Sequence, residues 1–189
     1  DLMNVNKNIR LFIQILSSFL ILINSKLFVF IENNLNYFFV IVCSLILIFL
    51  AVAIINFFNF MDGMDGLVSG CMVIYLIVFA YLHEPSFFPL ITSLIAFFIW
   101  NLPPARIFMG DVGSTFLGAI LIICIFSRND LKEFLAFTLL AAPLLLDSSV
   151  CIIRRFLNSE NVFKAHKLHL YQRLHQSGWS HLKVSSMYF

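Results

Sequence analysis

From Tyr37 to Ile55 the chain carries no charged side chain, and a second run of the same kind extends from Leu67 to Leu82. Such runs are stable in water only when a large polar surface wraps them. Here that surface is missing: 61% of the 189 residues are hydrophobic and 12% are charged, against about 25% charged in an ordinary soluble domain. Lipid must do the covering. Net charge is +2, which gives no electrostatic basis for a nucleic-acid partner, so the placement of the charges carries more information than their sum. Cys43, Cys71, Cys124 and Cys151 are scattered singly through apolar stretches, without the spacing of a metal site or a disulfide framework, and read as packing residues.

A bilayer core takes about 20 apolar residues per helix, fewer where a helix end is shielded by protein. That ruler predicts six spans, roughly Leu11 to Ile31, Tyr37 to Ile55, Leu67 to Leu82, Phe87 to Leu102, Ser114 to Phe126 and Phe134 to Ile153. The predicted fold is therefore all-α and polytopic, a single transmembrane catalytic domain over residues 1–189. The chain opens at Asp1 without a methionine and stops at Phe189 where another apolar run starts, so we expect a portion of a longer protein.

Six spans sort the loops into two sets. One set holds Lys7, Arg10, Arg106, Arg154, Arg155, Lys164, Lys167, Arg173 and Lys183, nine of the twelve cations, and leaves Lys26, Arg128 and Lys132 for the other. The cation-rich side is predicted to be cytoplasmic. The unusual polar chemistry lies on that side too.

Three stretches carry it. In Asn56-Phe-Phe-Asn-Phe-Met-Asp-Gly-Met-Asp-Gly66, Asp62 and Asp65 are three apart, so one helical turn would present both on one face. Acids at a membrane boundary need a cation or hydrogen-bond donors, and Mg²⁺ with substrate phosphates suits few carboxylates plus water. Gly63 and Gly66 would let backbone approach a ligand closely. The plainer reading is a polar turn between helices.

The second stretch, Asn101-Leu-Pro-Pro-Ala-Arg-Ile-Phe-Met-Gly-Asp-Val-Gly-Ser114, sets Asp111 just before an apolar helix whose free N–H groups favour phosphate. Helix capping by Asp111 or Ser114 is its ordinary alternative. The third, His166-Lys-Leu-His-Leu-Tyr-Gln-Arg-Leu-His175, follows Arg154 and Arg155 and offers cations for a pyrophosphate, or else a basic amphipathic face resting on anionic headgroups. Zinc fits less well, because no thiolate or carboxylate set accompanies the histidines. Asp147 falls inside the sixth predicted span and is expected to be functional or to pair with Arg154 or Arg155.

The three stretches, in this order and two spans apart, resemble the polyprenyl-phosphate N-acetylhexosamine-1-phosphate transferases, often called glycosyl transferase family 4. The resemblance rests on N-x-x-N-F-x-D-G-x-D-G, on Phe108-Met-Gly-Asp-Val-Gly-Ser114 and on the closing arginine-histidine stretch, and it covers nearly the whole chain. It implies a fold of about ten spans, of which this chain holds about six. It also implies Mg²⁺ as cofactor, a UDP-sugar donor, a polyprenyl phosphate acceptor, surrounding membrane lipid and a homodimeric assembly. The expected location is the bacterial inner membrane, with the active site facing the cytoplasm.

Carried over by that resemblance, Asp111 is the principal Mg²⁺ ligand and Asp62 stands beside the phosphates. Asp65, Gly63, Asn101 and Phe108 form the nucleotide pocket, with Phe108 stacked on uracil and Asn59 next to it. His166, His169 and Arg173 hold the diphosphate, with Arg155 as a further substrate contact. Asp1 resembles the second acid of an early Asp-Asp pair. The H-x-x-H-x-Y-Q-R form is more similar to enzymes that initiate O-antigen or related surface polysaccharides than to the peptidoglycan-precursor enzymes. Two other classes compete. A cation-coupled transporter would gather its acids at mid-depth and show an internal repeat, whereas most acids here lie at one face; a catalytically dead, lipid-binding remnant would lack the upstream acid.

Overall fold

Helix boundaries in this chain follow from short side chains that capture backbone N–H groups at the ends of apolar runs. The computed structural model describes residues 6–160 and 168–189. Asn6 caps α1 (Lys7–Ile23), Ser25 caps α2 (Lys26–Asn34) and Asn36 caps α3 (Tyr37–Met61), each by accepting from an N–H of the first turn. Gly66, at φ 73°, turns the chain into α4 (Leu67–Leu82). After a single 3₁₀ turn at Pro85–Phe87 come α5 (Phe88–Asn101) and α6 (Gly110–Phe126). Asp130 caps α7 (Leu131–Leu140), and α8 (Ala142–Leu157) is followed by α9 (Leu170–Gln176) and α10 (His181–Tyr188).

The six predicted apolar segments are present, but two of them are broken. Instead of one helix from Leu11 to Ile31, α1 and α2 meet at 66°. The Ser25 hydroxyl explains the break, since it donates to Leu22 O and accepts from Phe28 N, ending one helix and starting the next. Instead of one helix from Phe134 to Ile153, α7 and α8 meet at 76°. There Pro143, in the first turn of α8, has no N–H to continue the ladder from α7. Among the described residues α3 alone is long and apolar enough to cross a bilayer as one helix; each bent pair passes the same test together, and α4, α5 and α6 are shorter apolar helices.

α3 is the centre of this polytopic bundle. Its 25 residues span about 37 Å at 1.5 Å per residue, and it lies against α1, α6 and α8, while α4 pairs with α5. Phe58 and Met61 on α3 and Leu121 and Ile122 on α6 are fully buried in the core. Around the outside, large apolar side chains such as Phe12, Phe38, Phe49, Tyr81 and Ile99 are exposed, as a lipid-facing belt requires. α3 and α6 come close because Gly118 has no side chain: a Cβ there would stand 2.9 Å from Ile55 Cα. Gly118→Leu is therefore expected to push the two helices apart and lower stability by about 1–3 kcal/mol. Thermal unfolding of the full-length protein in detergent reads this directly, and an unchanged midpoint would contradict it.

Two boundaries matter for function. α3 runs on to Met61, beyond its predicted end at Ile55, because no glycine or proline interrupts it before Gly63. Asn56 and Asn59 thus belong to a helix. α6 begins at Gly110 and not at Ser114, so Asp111 occupies its first turn instead of a preceding loop.

Candidate active site

The inner polar stretches converge. Asp62 ends α3, its N–H bonding to Phe58 O. Asp111 opens α6, where the free N–H groups of the first turn favour a negative charge. The two carboxyls lie within reach of each other's charge. Burial, and after it the charge of Asp111, push the Asp62 carboxyl from the usual 3.8 up to about 7. Arg10, from the first turns of α1, places Nη2 2.7 Å from Asp111 Oδ2, with both side chains about two-fifths exposed. Asn59 joins the same corner, accepting from Ser114 Oγ at 3.0 Å and tying α3 to α6 beside Asp111.

Asp65 does not share a helical face with Asp62, as the spacing suggested. Gly63 and the left-handed Gly66 keep residues 62–66 out of the helix, and the Asp65 carboxylate turns away to His181 Nδ1 at 3.1 Å and to the N–H of Ala105 at 3.4 Å. Gly63 leaves room for protein and not for ligand, since a Cβ on it would collide with the Tyr171 hydroxyl. Asn101 is 5% exposed. Its Oδ1 accepts from Gly66 N at 3.1 Å and Ser69 Oγ at 2.7 Å, and its Nδ2 donates to Ile107 O at 2.9 Å. It staples two loops together, because a buried amide takes the partners that satisfy it. Phe108 stays 74% exposed at the rim.

In the last stretch, His169 is the N-cap of α9 and is buried against Tyr171 and Phe60, with Nδ1 3.6 Å from Asp147 Oδ1. Arg155 is likewise buried, with Nε 3.1 Å from Glu160 Oε2. Arg173 is exposed. Asp147 takes its hydrogen bonds from Leu170 N, Tyr171 N and Tyr188 Oη, not from the arginines expected to pair with it. His166 and Asp1 lie outside the described residues.

Along the sequence Arg10 stands out only as a charge, and His181, Ser185, Tyr171 and Tyr188 do not stand out as supports of the loop. The Tyr in the H-x-x-H-x-Y-Q-R run was a visible signal; the serine and His181 gave none. Beside these residues, between α8 and the α9–α10 pair, a cavity of about 380 Å³ is walled by apolar side chains such as Leu146, Val150 and Met187, with Arg154 and Arg173 among its lining.

This arrangement can hold phosphate groups between acids and cations at one end of a lipid-covered bundle. Residues 1–128 match the family description "Glycosyl transferase family 4". The chain belongs to glycosyl transferase family 4. Family 4 relatives similar to it include the probable undecaprenyl-phosphate N-acetylglucosaminyl 1-phosphate transferase of Bacillus subtilis (strain 168), 35% identical over 69% of this chain and 40% of that protein. The phospho-N-acetylmuramoyl-pentapeptide-transferase of Staphylococcus carnosus (strain TM300) is 31% identical over 76% of this chain and 46% of its own length. The decaprenyl-phosphate N-acetylglucosaminephosphotransferase of Mycobacterium leprae (strain TN) is 32% identical over 71% and 42%. The family 4 chain thus spans less than half the length of these curated relatives.

Proposed function

We propose that the protein containing this chain transfers an N-acetylhexosamine 1-phosphate, or a deoxy derivative, from a UDP-sugar to polyprenyl phosphate, with release of UMP. The observation that carries this reading is the meeting of Asp62, Asp111 and Arg10, from three segments far apart in sequence. A phosphate oxygen of the lipid attacks the β-phosphorus of the donor. The bond from that phosphorus to the bridging oxygen breaks, and the bridging oxygen leaves with UMP. Phosphoryl transfer of this kind depends on positioning and charge compensation more than on a covalent nucleophile, and acids facing cations supply both.

Arg10 and Arg173 would hold phosphate oxygens, and the exposed Phe108 would stack on the uracil ring. The cavity beside α8 would take the first isoprene groups of the acceptor. The H-x-x-H-x-Y-Q-R form favours initiation of an O-antigen or related surface polysaccharide, and the distribution of cations favours a site on the cytoplasmic face of a bacterial plasma membrane. The transporter alternative loses its main support, since the intramembrane acid Asp147 is engaged by α9 and α10.

The residues fit Mg²⁺. Asp62 and Asp111 lie within reach of each other's charge, and Mg²⁺ characteristically binds to one or two carboxylates, with phosphates and water completing its shell. Asp111 and Asp62 would hold it, and when bound it would offset charge on the donor diphosphate. Below about pH 7 a proton on Asp62 competes with the cation, and above it the carboxylate is free to bind. Mg²⁺ affinity of the full-length protein is therefore expected to fall about tenfold between pH 8 and pH 6; calorimetric titration with Mg²⁺ showing no such fall would contradict it. The function itself is tested by offering the full-length protein several UDP-sugars with undecaprenyl phosphate. UMP and a lipid diphosphate-sugar should appear together, and failure with every donor would overturn the proposal.

A further inference from the structure

Asp147 is buried, yet four groups from the last two helices converge on it. Oδ1 accepts from Leu170 N at 2.8 Å and lies 3.6 Å from His169 Nδ1; Oδ2 accepts from Tyr188 Oη at 2.7 Å and from Tyr171 N at 3.3 Å. Leu170 and Tyr171 form the first turn of α9, whose N–H groups have no partner within the helix. A carboxylate from α8 thus satisfies the N–H groups of Leu170 and Tyr171, alongside the capping box that His169 and Gln172 form within α9.

The consequence reaches the acids of the candidate site. Tyr171, fixed by this cap, donates its hydroxyl to Phe60 O at 3.0 Å and lies against Gly63, the residues on either side of Met61 and Asp62. Tyr188, at the other end of the same carboxylate, belongs to α10. From α10, Ser185 Oγ donates to Asp65 O at 2.7 Å, and His181 meets the Asp65 side chain. α9 and α10 therefore grip the Asp62–Asp65 loop at both ends, and both are anchored on one side chain of α8.

We propose that Asp147 is a positioning residue for the transfer reaction: it clamps α9 and α10 so that they hold the Asp62–Asp65 loop and Arg173 in register with Asp111. The clamp reaches neither the donor nor the transferred phosphorus, although Asp147, Leu170 and Tyr188 also line the cavity assigned above to the isoprene groups of the acceptor; its catalytic meaning rests on the transfer reading above. Asp147→Asn keeps the shape but replaces one accepting oxygen with a donor, so the N–H groups and the hydroxyl can no longer all be satisfied. Glutamate keeps both oxygens at the cost of one added methylene. Tyr188→Phe removes a single bond from the clamp.

The test uses the full-length protein with all three variants and two readouts. Amide hydrogen exchange, measured without substrate, is expected to quicken at residues 169–174 and 60–66 in Asp147→Asn while the centres of α3 and α6 keep their protection. In steady-state UMP release, kcat should drop by about 10- to 100-fold, as expected for small misplacement of reacting groups, with donor KM within about threefold of the parent. Asp147→Glu should recover part of the kcat, and Tyr188→Phe should move both readouts the same way by less. Unchanged exchange in the two stretches, unchanged kcat, or exchange that quickens equally through α3 and α6 would each overturn the proposal. Should Asp147→Asn fail to fold, Tyr188→Phe is judged by the same criteria. If the parent protein turns over no UDP-sugar, the transfer reading falls, while the exchange result still decides whether the clamp exists.

Discussion

Asp111→Asn in the full-length protein is expected to reduce UMP release by at least about 10²–10³-fold, the usual cost of losing a principal electrostatic contact in a transition state. The substitution removes a formal charge and leaves the shape nearly unchanged. Only Asp62 then remains to hold a cation, and burial alone still disfavours its ionised form. Folding should be spared. The side chain is 41% exposed, and the neighbouring Thr115 hydroxyl bonds to the backbone carbonyl of Asp111, at 2.6 Å, which the substitution leaves in place. Turnover and thermal unfolding measured on the same preparation separate these effects. Retained turnover would remove Asp111 from the proposed metal site.

The second large effect is expected at Arg10. Its contact with Asp111 is short, but both partners are partly exposed, so the ion pair adds little to stability. The guanidinium matters as a cation poised beside Asp111. When a divalent ion takes Asp111, Arg10 is left next to the phosphates, with donors that match two phosphate oxygens. Arg10→Gln should lower kcat/KM for the UDP-sugar by about 10²-fold with little change in unfolding temperature. Arg10→Lys should recover only part, because an ammonium cannot reproduce the planar fork. Equal loss of stability and turnover in Arg10→Gln would mean that Arg10 holds the helices together and has no separate role at phosphate.

Much of this architecture is legible along the chain, because length and hydropathy alone delimit a lipid-covered helix. The six apolar segments and the gathering of acids and cations at one end follow from that. The breaks at Ser25 and Pro143 were harder to see, since both lie in stretches that remain apolar enough for one span. Each residue is visible; what it does to the ladder depends on which backbone groups find partners. The same limit governs the site. Asp62 and Asp111 could be singled out because an acid at a membrane boundary needs a physical reason to be there.

Asn101, Gly63, His169 and Asp147 could not be resolved that way. Asn101 bonds to residues 32 and 35 positions away, and Tyr188 to Asp147 across 41. Spacing along a sequence does not encode such pairings. A polar residue in a conspicuous motif can therefore be recognised from the sequence, while the loop it fastens to another cannot. Arg10 shows the converse: nothing around it marks it as special, and only the folding of α1 against α3 and α6 brings it to Asp111.

Whether Asp62 and Asp111 hold one cation against the donor diphosphate can be read by putting Mn²⁺ in place of Mg²⁺ in the full-length protein and recording electron–nuclear double resonance with the UDP-sugar bound. One tightly held Mn²⁺ per chain is expected, with ³¹P coupling from the donor diphosphate, and both should be lost in Asp111→Asn. Strong ³¹P coupling that survives in Asp111→Asn and Asp62→Asn alike would contradict it.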